Sequence, residues 1–255
     1  MDFLHIIVLS IVEGITEFLP VSSTGHLIIA DSLLGVPETE FSKSFIIAIQ
    51  AGTILSVVFL YWKQLFMDKE VMKRVAAAFV PTAVIGYIFY KLIKKHLIGN
   101  EMVVIASLFA GGLLLIIFEL FHRETNHDVD RVEHIPYSKA VLIGLIQAVA
   151  VIPGVSRAAA TILGGLGLGI RRKTIVEFSF LLAVPTLLAA TALDLLKSSS
   201  AFTGAEWGSL AAGSAISFVV AVFSIKFLLG FVKRFNFVAF GAYRILAAAV
   251  FWYFV

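Results

Sequence analysis

No cysteine occurs in these 255 residues, which excludes disulfides and thiolate metal sites and leaves the redox compartment unread. Charge is also scarce. Asp, Glu, Lys and Arg make up 15% of the chain and hydrophobic residues 60%, whereas soluble domains run near 25% charged and 45–50% apolar. With a mean hydropathy of +0.98, this balance reads as an integral membrane protein. The N-terminus lacks a basic n-region and a cleavage pattern, so its first apolar stretch reads as a retained helix. A pI near 9.1 raises the question of nucleic acid. The basic residues sit mostly in short loops between apolar segments, however, where they read as topology signals, and no nucleic-acid partner is expected.

Six apolar segments meet the ~20-residue requirement for a span: 44–62, 75–93, 102–121, 174–196, 207–232 and 236–255. Two further apolar regions, 3–34 and 138–170, are each split by a polar break containing proline. Their pieces are short for a full crossing and suit re-entrant helix–break–helix hairpins. All are read as helices, because an open sheet leaves its edges unpaired in lipid. The expected fold is therefore all-α: about six transmembrane helices plus two re-entrant hairpins in a single domain, 1–255.

The two halves, 1–121 and 138–255, flank a polar loop at 122–137 and resemble each other. Pro20-Val-Ser-Ser23 matches Pro153-Gly-Val-Ser156 at an offset of 133, and "FIIAI" from Phe45 matches "FLLAV" from Phe180 at 135. One hairpin and three spans per half force the second half to lie inverted, an arrangement that recurs in secondary transporters. Thirteen basic residues, among them Lys63, Lys69, Arg123, Arg171 and Lys226, fall on one side. Five fall on the other: Lys43, Lys91, Lys94, Lys95 and Lys197. The first side is then cytoplasmic and both termini lie outside.

The chemistry gathers at the two breaks. In "VEGITEFLPVSSTGH", Glu13 and Glu17 stand four residues apart, on one helical face. Ionisable groups at membrane depth are costly and mark functional sites. Pro20 ends that helix, and Ser22, Ser23 and Thr24 are capping residue types for the next, one of which must cap. His26 follows one turn in, three residues from Ser23 and on its face, where it suits general acid–base work. In "VIPGVSRAAAT", Pro153 and Gly154 interrupt a helix, Ser156 is placed to cap the next, Arg157 leaves its first turn and Thr161 lies one turn further. Two helix N-termini meeting near midplane make an anion site, and the Arg157 guanidinium matches phosphate oxygens. Carboxylates beside an anion site call for a divalent cation: Glu13 and Glu17 holding Mg²⁺ or Ca²⁺, which bridges to a polyphosphate. Ser22, Thr24, Ser156 and Thr161 join Arg157 as candidate phosphate contacts. Cation, anion site and lipid burial together point to an amphiphile with a phosphorylated head group.

"EGITEFLPVSSTGHL", "PGVSRAAAT", "EFSFLLAVPT" and "FGAYRILAAAV" resemble the signature segments of the undecaprenyl-diphosphate phosphatase family, the bacitracin-resistance type, over essentially the whole chain. The resemblance implies metal-dependent hydrolysis of a polyprenyl diphosphate to the monophosphate and inorganic phosphate. It implies an inverted-repeat fold in the bacterial plasma membrane, recycling the lipid carrier of peptidoglycan synthesis. It makes Glu13 and Glu17 the acidic pair, Ser23 and His26 the serine and histidine, and Arg157 the phosphate-binding arginine. One departure is Ala158-Ala159, where the family usually has Ser-Gly. Ser23, His26 and water all stand as candidate nucleophiles, with a homodimer allowed. The rival reading is a lipid flippase or secondary transporter, against which a Ser/His/Glu constellation argues, since transport needs no nucleophile.

Elsewhere the structural reading is preferred. His122, His127 and His134 lie in the solvated loop, and Glu119, Glu177 and Asp194 lie near helix ends where water reaches. The glycines from Gly164 to Gly169 suit close helix packing rather than a phosphate loop, since no strand precedes them. Arg244, in the last span, is expected to snorkel or to pair with a carboxylate.

Overall fold

The computed structural model describes residues 1–37, 39–96, 100–125, 128–198 and 203–254, with backbone alone for 90–96, 190 and 193–198. Ten α-helices account for the described chain: α1 (Phe3–Thr16), α2 (Ser23–Leu34), α3 (Glu40–Phe66), α4 (Lys69–His96), α5 (Glu101–Phe121), α6 (Tyr137–Gln147), α7 (Arg157–Gly167), α8 (Arg172–Ser198), α9 (Gly204–Phe231) and α10 (Val238–Phe254). Among the described residues there is no strand, only one isolated bridge between Val129 and Ile170 that docks the central loop onto the end of α7. His127 and the side chains of Lys91, Lys94, Lys95, Asp194 and Lys197 lie outside the described residues.

Local sequence explains the helix ends. Asp2 caps α1 by accepting from the His5 N–H at 2.9 Å, and Thr39 and Thr203 open α3 and α9 with reciprocal capping boxes. Gly35 closes α2 in the left-handed conformation, φ 63°, which glycine adopts without steric cost. His5, at the start of α1, hydrogen-bonds the Leu34 carbonyl at the end of α2, 3.3 Å away. That contact brings the outer ends of the first helical pair together, so α1 and α2 form a hairpin.

The distribution of polarity is that of a lipid-solvated chain. Phe59, Ile88, Phe223 and Leu246 are exposed, while Glu13, Thr161 and Arg244 are fully buried. α3, α5 and α9, with residues 69–89 of α4, are long and apolar enough to cross a membrane, and α1, α6 with its following turn, and α10 are shorter apolar helices. The chain is an all-helical, multi-pass membrane protein.

α1 packs on α2 and α6 on α7, and each pair lies against longer helices. α1 lies against α9, α6 against α4, α3 against α8 and α9, and α5 against α10. The main apolar core forms around Phe18 and Phe180, whose rings meet edge to face at 5.4 Å.

Two expectations change here. Glu119 does not sit in water: it is buried, takes two N–H bonds from Arg172 and accepts the Phe237 N–H at 3.1 Å. The Arg172 fork and a backbone donor together replace its hydration. Arg244 neither snorkels nor meets a carboxylate, as described below.

Candidate functional site

The first break begins where α1 ends. Glu17 keeps helical angles one residue past α1, and its N–H donates to the Glu13 carbonyl at 3.0 Å. The two acidic residues therefore stay one turn apart on one face, as the spacing requires. The chain then turns through Pro20 to Ser22, whose φ of 73° is left-handed for a non-glycine residue. Ser22 Oγ accepts from the Gly25 N–H at 3.4 Å and caps α2. Ser23, the first residue of α2, is thereby released from capping. Its hydroxyl donates to Glu17 Oε2 at 2.5 Å.

The second break is built the same way. Gly154, φ 88°, turns the chain where a Cβ would lie 2.6 Å from the Val104 carbonyl oxygen. Ser156 follows at φ 75° and caps α7 through the Ala159 N–H at 3.2 Å. Ser22 and Ser156 are the only non-glycine residues with positive φ among those described. Such backbone costs on the order of 1–3 kcal/mol and persists where the surroundings enforce it. Sequence matching had set Ser23 against Ser156, but the caps show that Ser22 is the counterpart and that Ser23 corresponds to Arg157. The motif slips by one residue because the glycine precedes the cap by two positions in one break and is absent from the other.

Both helix starts converge on one carboxylate. Arg157 Nη2 donates to Glu17 Oε1 at 3.0 Å, while Nη1 donates to the Ser179 carbonyl at 2.8 Å. The guanidinium also lies over the Phe18 ring, 5.7 Å from its centroid. The Glu17–Arg157 pair is buried, so removing either partner strands a charge and costs about 3–5 kcal/mol. Three atoms beside it have no partner: Arg157 Nε and both oxygens of the fully buried Glu13. Buried polar atoms are normally bonded. An open guanidinium N–H and an open carboxyl at one buried site suit a ligand that carries both acceptor and cationic groups.

His26 sits apart from the Ser23–Glu17 contact. Its Nδ1 is 2.7 Å from the Ser22 carbonyl and its Nε2 is 2.7 Å from the Tyr243 hydroxyl. A carbonyl only accepts, so Nδ1 carries the proton. The neighbouring Arg244 is wholly buried on α10 and donates all five guanidinium N–H groups to backbone carbonyls. These belong to Leu108 and Ser107 of α5, to Pro20 of the first break, and to Gly154 and Val155 of the second. Gly111 makes room for it, since a Cβ there would fall 2.7 Å from Arg244 Cζ. Carbonyls freed where a helix breaks must be satisfied in a low-dielectric interior, and this side chain satisfies three of them.

The remaining sequence candidates divide. Thr161 is fully buried, and its hydroxyl shares its one proton between Gln147 Oε1 at 3.1 Å and the Arg157 carbonyl at 2.8 Å. It secures α7 to α6, with both acceptors of its hydroxyl in its own helical pair. Ser22 and Ser156 are caps, and Thr24 is exposed. Sequence reasoning missed Ser179 and Tyr243. Both stand in quoted motifs, "EFSFLLAVPT" and "FGAYRILAAAV", so the signal was present without a chemical role attached to it.

This geometry stands beside clear relationships to known proteins. The model of the bacitracin resistance protein BacA family matches residues 6–250. The chain belongs to the BacA family. It is 48% identical over 255 residues to an undecaprenyl-diphosphatase of Sulfurihydrogenibium sp., covering 99% of this chain and all of that one. It is 50% identical over 245 residues to the undecaprenyl-diphosphatase of Aquifex aeolicus, covering 96% and 95% of the two chains. Identity to the Wolinella succinogenes undecaprenyl-diphosphatase is 44% over 255 residues, 100% and 99% of each. The BacA match spans both breaks, so Glu13, Glu17, Ser23, His26, Arg157, Tyr243 and Arg244 all lie inside it.

Proposed function

We propose that this protein hydrolyses undecaprenyl diphosphate to the monophosphate and inorganic phosphate, returning the lipid carrier to peptidoglycan synthesis and countering bacitracin. The observation that carries the reading is the meeting of Ser23 and Arg157 on Glu17 in a buried site, in a chain of the BacA family. A nucleophile, a base and a phosphate-binding fork within one hydrogen-bonded unit are the parts that phosphoryl transfer requires.

Ser23 Oγ attacks the terminal phosphorus and its proton passes to Glu17 Oε2, which already accepts it. The bond from phosphorus to the bridging oxygen breaks, and the lipid monophosphate leaves with the electron pair and takes up the proton that Glu17 received from Ser23. Water then hydrolyses the phosphoserine: Glu17, a carboxylate again, accepts the proton of the water and returns it to Ser23 Oγ as the phosphorus–oxygen bond breaks. Arg157, with Nε open and Nη2 on Glu17, grips phosphate oxygens and stabilises the transferring group. In this reading His26 is not the base for Ser23, since its nitrogens face the Ser22 carbonyl and the Tyr243 hydroxyl.

The donor set also fits a hard divalent cation, Mg²⁺ or Ca²⁺. Glu13 offers two buried oxygens with no partner, and Glu17 lies one turn away. Such ions are commonly held by one or two carboxylates plus substrate phosphate and water. When bound, the ion supplies charge neutralisation for the diphosphate.

In the bilayer of the bacterial cell, we place six spans and two re-entrant hairpins as inverted repeats with both termini outside. Three features support this: the matched caps at Ser22 and Ser156, the matched packing of α1 on α9 and of α6 on α4, and the asymmetry of basic residues. The test of function is phosphate release by purified protein in detergent with undecaprenyl diphosphate, with and without chelator. Turnover that stops in chelator and returns with Mg²⁺ or Ca²⁺ is expected. No release under any metal condition overturns the reading.

A further inference from the structure

Tyr243 and Arg244 are neighbours in the last helix, and both reach the site from outside the two breaks. Arg244 is spent on backbone carbonyls. Tyr243 meets the one acid–base side chain that makes no contact with Glu17. Its hydroxyl lies 2.7 Å from His26 Nε2, and the two rings are nearly parallel, at an interplanar angle of 6° with centroids 5.4 Å apart. The other restraint on the imidazole is the Ser22 carbonyl, at 2.7 Å from Nδ1.

These contacts divide the work. The Ser22 carbonyl requires a proton on Nδ1, so Nε2 is the nitrogen with the free lone pair. A phenol hydroxyl donates to such a lone pair, which fixes the direction of Nε2. Without Tyr243 the imidazole keeps only its bond to Ser22, and Nε2 loses its fixed direction. Tyr243 is half-exposed while His26 is more enclosed.

We propose that Tyr243 is a positioning residue for His26, fixing the tautomer and ring orientation of the imidazole at the first break. This rests on the phosphatase reading above. It assigns a role to the "FGAYRILAAAV" segment that the carboxylates, the serine and Arg157 leave unexplained. Tyr243→Phe keeps the ring and removes only the hydroxyl, which makes it the informative variant.

The test has two arms. In the kinetic arm, Tyr243→Phe lowers kcat about tenfold with KM unchanged, the scale of one lost oriented hydrogen bond. In a His26→Ala background the same change has no further effect, because the two residues act as one unit. The spectroscopic arm uses ¹⁵N-histidine resonance of the protein in detergent without substrate, with the His26 signals identified by their loss in His26→Ala. In the unsubstituted protein Nδ1 is protonated and Nε2 carries the signature of a hydrogen-bond acceptor. In Tyr243→Phe the Nε2 signal shifts to that of a free lone pair. A loss of equal size in both backgrounds, or an Nε2 signal indifferent to Tyr243→Phe, overturns the proposal. The second arm needs no turnover, so it reads Tyr243 even if the phosphatase reading fails. Tyr243→Leu, which removes ring and hydroxyl together, is expected to lower kcat further, and a kcat equal to that of the unsubstituted protein also overturns it.

Discussion

Ser23 and Arg157 are the first residues of α2 and α7, and each binds a different oxygen of the same carboxylate, Glu17. One helix start contributes a hydroxyl and the other a guanidinium, so two structurally matched positions carry different chemistry. The caps that precede them, Ser22 and Ser156, share a strained backbone that turns the next side chain inward.

The division between cap and nucleophile sets the first prediction. Ser23→Ala is expected to lower kcat by at least 10²–10⁴-fold, the range lost with an acid–base-assisted step. Ser22→Ala removes a cap worth ~1 kcal/mol and is expected to lower Tm with a much smaller loss of turnover. Steady-state kinetics and thermal unfolding of both variants check this. Equal, mild kinetic effects would return Ser23 to a structural role.

Arg157→Lys is expected to fold and to lose most of kcat/KM. An ammonium cannot reach Glu17, the Ser179 carbonyl and a phosphate oxygen in one plane, as the guanidinium does. Glu17→Gln leaves the Arg157 charge buried and unpaired, so it should cost stability as well as turnover. Kinetics alongside urea or thermal unfolding separates the two. Near-normal turnover in Arg157→Lys would mean that charge alone is needed.

Glu13 gives a prediction that does not depend on turnover. Added Mg²⁺ or Ca²⁺ should raise the Tm of the purified protein, by the equivalent of about 2.7 kcal/mol at a hundred times Kd. Glu13→Gln should abolish that rise. In metal-free buffer the same variant should be no less stable than the parent, because a neutral amide is cheaper to bury than an unpartnered carboxylate. A metal-dependent Tm shift that survives Glu13→Gln would place the ion elsewhere.

Topology is checked with single cysteines, for which the chain has no native background. Exposed Lys69, Arg123 and Lys173, replaced by Cys, should resist an impermeant thiol reagent in intact cells, while Glu101→Cys should react. At the hairpin ends, Ser32→Cys should label from outside and Gly167→Cys from inside. These sites avoid Gly35 and Gly169, where positive φ disfavours a side chain, and Arg172, which holds Glu119. Labelling of both hairpin ends from one side would remove the inversion.

The helical hairpins and the acidic pair were readable because helix periodicity and proline breaks are local signals. Glu13, Glu17, Ser23 and Arg157 declared themselves as polar residues in apolar surroundings, and three of the four meet directly. What local pattern hides is the choice of partner. Thr161 shares a helical face with Arg157, yet Gln147 claims its hydroxyl. His26 shares a face with Ser23, yet it turns to a tyrosine 217 positions away. Arg244 was read for a carboxylate or for the membrane surface, since sequence lists side chains and not the carbonyls that a broken helix leaves open.

The contact between Arg244 and the Pro20 carbonyl joins residues 224 positions apart. During synthesis at ~5–20 residues per second, roughly ten to forty seconds separate the appearance of the two. For that interval the carbonyl of the first break is still untied, and those of the second wait for a shorter time, being 90 and 89 positions from Arg244. α10 carries the side chain that fastens both breaks. Assembly of the site therefore waits for α10, and a ribosome stalled before that helix would hold both breaks without their common tie.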